Sequence, residues 1–292
     1  MKELLVISGK GGTGKTSITL SFAALAEKAI FADCDVDAAD MALILKPQEQ
    51  QREDFYSGSL AAIDPSLCMG CGKCYRLCRF DAIRAEEGEF SVDPLACEGC
   101  GVCYDNCPVK AITFEPRLCG DLYVSSTSRG TLVHARLGAG GENSGKLVSE
   151  VKQRTKALGE EQGCSLMITD GPPGIGCSVI ASLTGADAVL IVTEPTVSGI
   201  HDMERVYELC KHFRIPAYVC VNKADLNVEN AKKIRAFGEE KGVQWLGEIP
   251  YDPSVTKAMI QTMPVVSLEG SPAGEAILTI WEMLKNERTL FQ

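Results

Sequence analysis

A chain of 292 residues is long enough for one large α/β domain and something smaller. Its net charge of −10 argues against a nucleic-acid surface, and no run approaches the ~18 apolar residues of a membrane span, so we expect a cytoplasmic protein without a stable membrane anchor. Fourteen cysteines exceed what core packing asks for, and in an unsecreted chain they point to metal rather than to disulfides.

The chain opens on an apolar run, Leu4 to Ile7, that reads as a buried strand. Gly9-Lys10-Gly11-Gly12-Thr13-Gly14-Lys15-Thr16 follows, and a helix is expected from Thr16 to Lys28. A glycine-rich turn between strand and helix lets backbone N–H groups converge on a polyphosphate. The spacing fits G-x-x-x-x-G-K-[ST], in which Lys15 reaches the β/γ-phosphates and the Thr16 hydroxyl holds Mg²⁺. Gly9, Gly11 and Gly14 also fit the dinucleotide pattern G-x-G-x-x-G, with Asp33 about where a ribose-binding acid would stand. Lys15-Thr16 favours the nucleoside triphosphate, because a pyrophosphate-only site needs neither residue.

A second strand, Ala29 to Ala32, ends in Asp33-Cys34-Asp35-Val36-Asp37, with Asp40 beyond. Carboxylates there lie on the ligand-binding side of a doubly wound sheet; Asp37 and Asp40 read as a solvated acidic turn. From Lys46 to Gly58 the chain turns polar and reads as a linker or exposed helix leading to an insertion.

An internal repeat comes next. Cys68-x-x-Cys71-x-x-Cys74-x-x-x-Cys78 is echoed 29 residues on by Cys97-x-x-Cys100-x-x-Cys103-x-x-x-Cys107-Pro108. Zinc can be held by paired C-x-x-C, but a duplicated triple-plus-one pattern fits it poorly. The run resembles that of bacterial ferredoxins with two [4Fe–4S] clusters, in which the fourth cysteine of each run ligates the other cluster. That likeness implies one cluster on Cys68, Cys71, Cys74 and Cys107, and a second on Cys97, Cys100, Cys103 and Cys78. Arg79 stands where a proline is expected after Cys78.

Beyond Glu115-Pro116, Leu122 to Ser126 and Thr131 to Ala135 read as a β-hairpin. A glycine-rich loop from Leu137 to Lys146 follows, read as a surface turn or as a mobile loop near a nucleotide or partner, and then a helix to about Leu158. The strand Ser165 to Thr169 ends in Asp170-Gly171-Pro172-Pro173-Gly174; an aspartate there suits magnesium binding through water, and the glycines suit a γ-phosphate-sensing switch. Strands at 188–193, 217–221 and 243–249 lead to Glu194-Pro195-Thr196, Asn222-Lys223-Ala224-Asp225 and Pro250-Tyr251-Asp252, and of these Asn222 and the Pro250 to Asp252 turn fall where a base could be gripped. N-K-x-D resembles the guanine-reading motif of GTPases, so ATP is not chosen over GTP by chemistry alone. Cys34, Cys119, Cys164, Cys177, Cys210 and Cys220 lack C-x-x-C spacing and read as mostly buried, with Cys119 and Cys177 as the exceptions worth testing. His134, His201 and His212 are isolated and receive no role.

Lys10 to Thr16, Asp33 to Asp35, Asp170 to Gly174 and Pro250 to Asp252 together resemble the MinD/ParA/Mrp superfamily of P-loop ATPases with a deviant Walker A lysine. The resemblance implies an α/β fold with a doubly wound, mostly parallel sheet at 1–58 and 117–292, interrupted at 59–116 by an α+β ferredoxin-like domain. It implies a homodimer that sandwiches ATP, Lys10 reaching the partner's nucleotide, and Asp35 positioning the attacking water. It places Asn222, Pro250 and Asp252 in the adenine pocket, and Mg²⁺ near Thr16, Asp35 and Asp170. The expected function is ATP hydrolysis coupled to electron transfer with a redox partner protein. Delivery of clusters to an accepting protein is the alternative, although the C-terminal C-x-x-C of Mrp-type carriers is missing. A redox-sensing positioning ATPase is a third possibility.

Overall fold

Leu4, Leu5, Val6 and Ile7 of β1 (Lys2–Ser8) are all fully buried, so both faces of this strand are covered. A strand apolar on both faces belongs inside a parallel sheet with helices on each side. The chain continues through α1 (Lys15–Leu25), β2 (Ala29–Asp33), α2 (Met41–Leu45), β3 (Gln48–Ile63), α3 (Lys73–Leu77), β4 (Ile83–Glu86), β5 (Glu89–Val92) and α4 (Val102–Asp105). It goes on through β6 (Ile112–Thr127), β7 (Gly130–Leu137), α5 (Ser144–Glu161), β8 (Leu166–Pro173), α6 (Cys177–Leu183) and β9 (Ala188–Thr193). The last elements are α7 (Val197–His212), β10 (Ala217–Asn222), α8 (Val228–Lys241), β11 (Gln244–Ile249), α9 (Ser254–Ile260) and α10 (Pro272–Lys285). This computed structural model describes residues 1–138, 143–287 and 290. Two units are distinguished, Met1–Glu53 with Leu122–Arg136 and Ser144–Gln292, and Asp54–Asp121 with Leu137–Asn143; the division falls within β3 and β6.

The large sheet has nine strands in the order β11-β10-β9-β1-β8-β2-β7-β6-β3, and the pairs from β11 to β7 are parallel. This is the α/β, mostly parallel arrangement expected from the sequence. The alternation along β1 sorts its side chains to two cores. Leu4 and Val6 join Ile18 and Phe22 of α1 and Ile277 and Trp281 of α10. Leu5 and Ile7 join Val179 and Leu183 of α6 and Met203 and Val206 of α7. Each such fully buried side chain contributes about 1.5–3 kcal/mol relative to exposure, so this strand anchors both layers. Phe22 and Trp281 meet with ring centroids 5.0 Å apart.

Three expectations need correction. Lys46 to Gly58 is neither linker nor helix, because Gln48 onward forms the edge strand β3, with every residue from Gln48 to Asp54 exposed. Polar and charged side chains suit an edge that must not pair with another chain, and they leave no alternation to read. Helix α1 stops at Leu25, where Ala26 is extended, short of Lys28. Strand β8 runs through Asp170 as far as Pro173 rather than ending at Thr169. The hairpin is present as the end of β6 and β7, closed by Ser128-Arg129, with Thr127 Oγ1 donating to the Gly130 carbonyl at 2.7 Å. The centre of the glycine-rich loop, residues 139–142, lies outside the described residues, and its last residues, Ser144 to Lys146, already belong to α5.

In the second unit the sequence repeat returns as a repeat of structure. Gly72 and Gly101, at φ 65° and 75°, precede the short helices α3 and α4. The Asp64 N–H donates to the Ala111 carbonyl at 2.8 Å, and the Asp93 N–H to the Ala82 carbonyl at 2.7 Å, so the head of each repeat is pinned by the tail of the other. Tyr75 pairs with Phe90, and Tyr104 with Phe114. Strands β4 and β5 form an antiparallel pair.

His134 on β7 stacks on Tyr123, with ring centroids 5.0 Å apart, and lies 3.3 Å from Ser125 Oγ. Burial, helped by Arg136, lowers its pKa to about 4. The unfolded chain therefore binds a proton between about pH 6.5 and 4 that the folded chain refuses, so stability rises with pH across that window and is lost as pH falls. Because the ring is only partly buried, we expect a loss of about 1–2 kcal/mol on acidification from pH 7 to 4. Denaturant midpoints across this range should show that slope in the wild type and a weaker one in His134→Phe.

Candidate functional site

The glycine loop is held in shape from outside. Gly12 and Gly14 adopt φ of 80° and 87°, a conformation that favours glycine, and a Cβ on Gly14 would collide with the Asn222 amide. Asn222, at the end of β10, donates its Nδ2 to the Thr13 carbonyl at 2.8 Å. Next to it, Lys223 Nζ donates to the Gly12 carbonyl at 3.2 Å. A Cβ on Gly9 would run into Asp202 of α7, so this glycine is fixed by packing rather than by backbone twist. Thr13 Oγ1 is buried with no hydrogen-bond partner among the described residues.

Asp170 organises the chemistry. Its Oδ2 accepts from Lys15 Nζ and from Thr16 Oγ1, both at 2.8 Å, and its Oδ1 accepts from Thr19 Oγ1 at 2.7 Å. The Asp35 carboxylate lies 3.6 Å from the same lysine. Asp33, fully buried, stands opposite Asp170 in the register of β2 and β8 and accepts from the N–H groups of Asp35 and Met41. Burial and then the neighbouring Asp170 push the Asp33 pKa well up, against the pull of Lys15. Asp35 is raised by burial, partly offset by Lys15. Burial works against the Lys15 ammonium, yet Asp170, Asp35 and Asp33 together raise its pKa and keep it charged. Three carboxylates thus share one lysine, and a divalent cation relieves such an excess of negative charge. With the phosphate-sized glycine cradle beside it, this donor set fits Mg²⁺ and a polyphosphate.

Lys15, Thr16, Asp35 and Asn222 line one cavity of about 610 Å³ at the C-terminal ends of the parallel strands, while Asp170, Asp33 and Thr19 are buried behind it. Gly11 to Thr16 and Asp35 stand at one side, and Pro250, Tyr251, Asp252, Val255 and Met259 at the other. Asp37 and Asp40, read as a solvated turn, also face this cavity. Gly174 N–H donates to the Ser8 carbonyl at 2.9 Å, tying the segment after Asp170 to the end of β1. Asp252 reaches the cavity wall, but its oxygens accept from Ser254, Ser271 and Ala273. Burial opposes its charge, yet these bonds bring its pKa down to about 2.

Lys10 lies 3.3 Å from Glu194 Oε2 and within 3.4 Å of the Thr196 and Ser198 hydroxyls. Lys223 pairs with the other oxygen of Glu194. Thr19, Glu194 and Lys223 were not singled out as site residues from sequence. The signal for Thr19 is its place one helical turn beyond Lys15; for Glu194 and Lys223 it is their position at strand C-termini.

In the second unit, Cys68, Cys71, Cys74 and Cys107 line one cavity, with Ile63, Phe90 and Ile112 among its walls. Cys78, Cys97, Cys100 and Cys103 line another, with Ala61, Ile83, Val92 and Phe114. The fourth cysteine of each run therefore crosses to the other run's cavity. All fourteen thiols are free. Burial raises the pKa of Cys74 and of Cys103. Among the described residues no three His, Cys, Asp or Glu side chains converge as one metal ion requires. Zinc would need its thiolates ~2.3 Å from a single point, whereas four corners of a cubane keep theirs apart around a cavity. The donor set fits an iron–sulfur cluster in each. Of the two exceptional cysteines, Cys119 is buried and donates to the Ser57 carbonyl at 3.2 Å, while Cys177 is exposed.

Residues 4–265 match the CobQ/CobB/MinD/ParA nucleotide binding domain family. The chain belongs to this family. It is an α/β P-loop protein of the MinD/ParA ATPase superfamily. It is 32% identical to the uncharacterized protein MJ0578 of Methanocaldococcus jannaschii over 97% of this chain and 96% of that one. An iron-sulfur cluster carrier protein of Pyrococcus horikoshii is 30% identical, over 44% of this chain and 49% of its own length. The fold is that of the septum site-determining protein MinD of Pyrococcus horikoshii, solved with Mg-ADP, at a TM-score of 0.58, 16% identity and coverage of 98% and 96% of the two chains. No described helix of this MinD/ParA-family chain is long and apolar enough to cross a membrane.

Because Asn222 braces the loop backbone, Asn222→Ala should weaken ATP and GTP alike, about fivefold for a lost hydrogen bond of ~1 kcal/mol. Competition binding with both nucleotides checks this; a changed ATP/GTP ratio would assign Asn222 to the base instead.

Proposed function

We propose that this chain is an ATP-hydrolysing iron–sulfur protein in which nucleotide state is coupled to one-electron transfer with a partner protein. The observation that carries the reading is the sorting of eight cysteines into two crossed sets of four, each around its own apolar-walled cavity, in a member of a P-loop ATPase family. Crossed ligation ties each cluster to both repeats, which favours retention over release. On this reading residues 59–116 are an inserted ferredoxin-like domain. The clusters would supply reversible one-electron storage.

For hydrolysis, a water oxygen attacks the γ-phosphorus of ATP in line and the bond to the ADP oxygen breaks, giving ADP and phosphate. Gly11 to Thr16 offer N–H donors to the phosphates, and Lys15 opposes the charge that gathers on the transferred group. Thr16 and Asp170, with Asp35 beside them, would hold Mg²⁺, which neutralises phosphate charge when bound. Asp35 orients the water. Lys10 reaches the nucleotide of a second copy in an ATP-sandwich homodimer, and to do so it must leave Glu194. Tyr251, Val255 and Met259 offer the base an apolar wall. A cytoplasmic setting suits thiolate-held clusters.

A second reading, delivery of clusters to an acceptor, is favoured by the likeness to the Pyrococcus carrier over part of the chain. Mixing the anaerobic protein with an apo-acceptor separates the two: clusters that change redox state but stay support electron transfer, and clusters that leave support the carrier.

Anaerobically purified protein should contain iron and sulfide in equal amounts and hydrolyse Mg·ATP. Lys15→Ala should lose ATPase activity by at least about a hundredfold while keeping full iron, since it removes a charge from the transition state. Cys97→Ala/Cys100→Ala should lose about half of both iron and sulfide. Zinc in place of iron, or no Mg·ATP binding, would overturn the proposal.

A further inference from the structure

The two cysteine repeats match closely in backbone but not in charge. Aligned on their cysteines, Met69 faces Glu98, Lys73 faces Val102, Arg76 faces Asp105 and Arg79 faces Pro108. The structure brings these differences to the cavities. Lys73 lines the cavity of Cys68, Cys71, Cys74 and Cys107, whereas Glu98 lines that of Cys97, Cys100, Cys103 and Cys78. The Arg76 guanidinium donates to the Cys71 carbonyl at 3.3 Å and lies beside Gly72. At the equivalent place Asp105 sets its carboxylate beside Gly101. Opposing charges are present too. Arg117 donates to the Cys97 carbonyl at 3.3 Å, and Arg79 follows Cys78, itself followed closely by Asp81. They reduce the contrast without reversing it, because the first cavity carries Lys73 and Arg76 with no acid on its own cysteine run.

Two further features act in the same direction. The Ala111 N–H donates to Cys107 Sγ at 3.2 Å, a bond of the kind that favours added negative charge at the first cavity. Cys68 is half-buried where its counterpart Cys97 is buried, so water reaches the first set more freely at this one thiol, the other three pairs being alike. Charge, hydrogen bonds to sulfur and exposure are the variables that set a cluster's potential.

We infer that the two cluster sites are deliberately unequal, and that the site of Cys68, Cys71, Cys74 and Cys107 is the more easily reduced end of a directional pair. This rests on the reading of the cavities as cluster sites. One electron from a low-potential one-electron donor, dithionite in the test below, then comes to rest at this first site. If it enters at the second site, that cluster is oxidised as the first is reduced, one electron moves, and no bond or proton changes hands. The basic helix α3, with Lys73 and Arg76 exposed, marks the exit side, suited to an acidic acceptor.

The test is a potentiometric titration of the full-length anaerobic protein followed by electron paramagnetic resonance, after iron and sulfide have been counted. The wild type should show two separate one-electron steps. Lys73→Val/Arg76→Asp, which gives the first run the charge of the second, should move the upper step down toward the lower. Glu98→Met/Asp105→Arg should move the lower step up and leave the upper in place. All changed side chains are exposed, on α3, on α4 and in the turn before α4, and Arg76→Lys, which keeps the charge, should leave both steps unmoved, so folding effects are separable. Full iron with two coincident steps, or shifts of the opposite sign, would overturn the inference while leaving the cluster reading intact. Absence of iron would overturn both.

Discussion

A single buried carboxylate, that of Asp170, sets the terms for the nucleotide site. Its two oxygens receive Lys15, Thr16 and Thr19, three residues of one loop and helix, from the neighbouring strand. Burying a charge of this kind costs several kcal/mol unless it is paired and its remaining lone pairs are met. Here they are met, at distances of 2.7–2.8 Å, which fixes the helix to the sheet and places the lysine where phosphate would come. The flanking Asp33 and Asp35 bring two more carboxyl groups to a site with one lysine, and burial and mutual repulsion push their pKa values up, so a cation beside them would favour their ionised forms. Strand β10 completes the constraint by holding the loop backbone through Asn222 and Lys223.

The second unit solves a different problem with a different economy. Two short repeats of backbone turn, each carrying two glycines of positive φ among its cysteines, would not by themselves bury much apolar surface. The reciprocal hydrogen bonds of Asp64 and Asp93, and the aromatic pairs of Tyr75 with Phe90 and Tyr104 with Phe114, make the two halves depend on one another. Crossed placement of Cys78 and Cys107 carries the same dependence into the cavities. On the proposed reading, near-symmetry of backbone with asymmetry of charge would let two similar sites act in sequence.

Much of this was legible in the sequence, because motif and geometry coincide where chemistry is demanding. Lys15 and Thr16 of the glycine loop meet Asp170, and the eight repeat cysteines sort into two cavities in the crossed sets that the resemblance to two-cluster ferredoxins implies. What escaped were residues whose work is mutual. The strand-end position of Asn222 points to the base, but one of its two amide N–H donors is spent on the Thr13 carbonyl. The bonds that occupy the Asp252 carboxylate come from Ser271 and Ala273, far along the chain, which no local pattern announces. The edge strand β3 hid because an exposed polar strand has neither apolar period nor turn signal to mark it.

The central claim is that nucleotide and clusters report on one another. Its most direct test compares the cluster reduction potentials of the anaerobic protein loaded with Mg·ATP, with Mg·ADP and with neither. We predict that Mg·ATP shifts at least one potential relative to Mg·ADP, and that Lys15→Ala abolishes the shift. Identical potentials in all three states, in protein shown to bind both nucleotides and to carry its iron, would contradict the account.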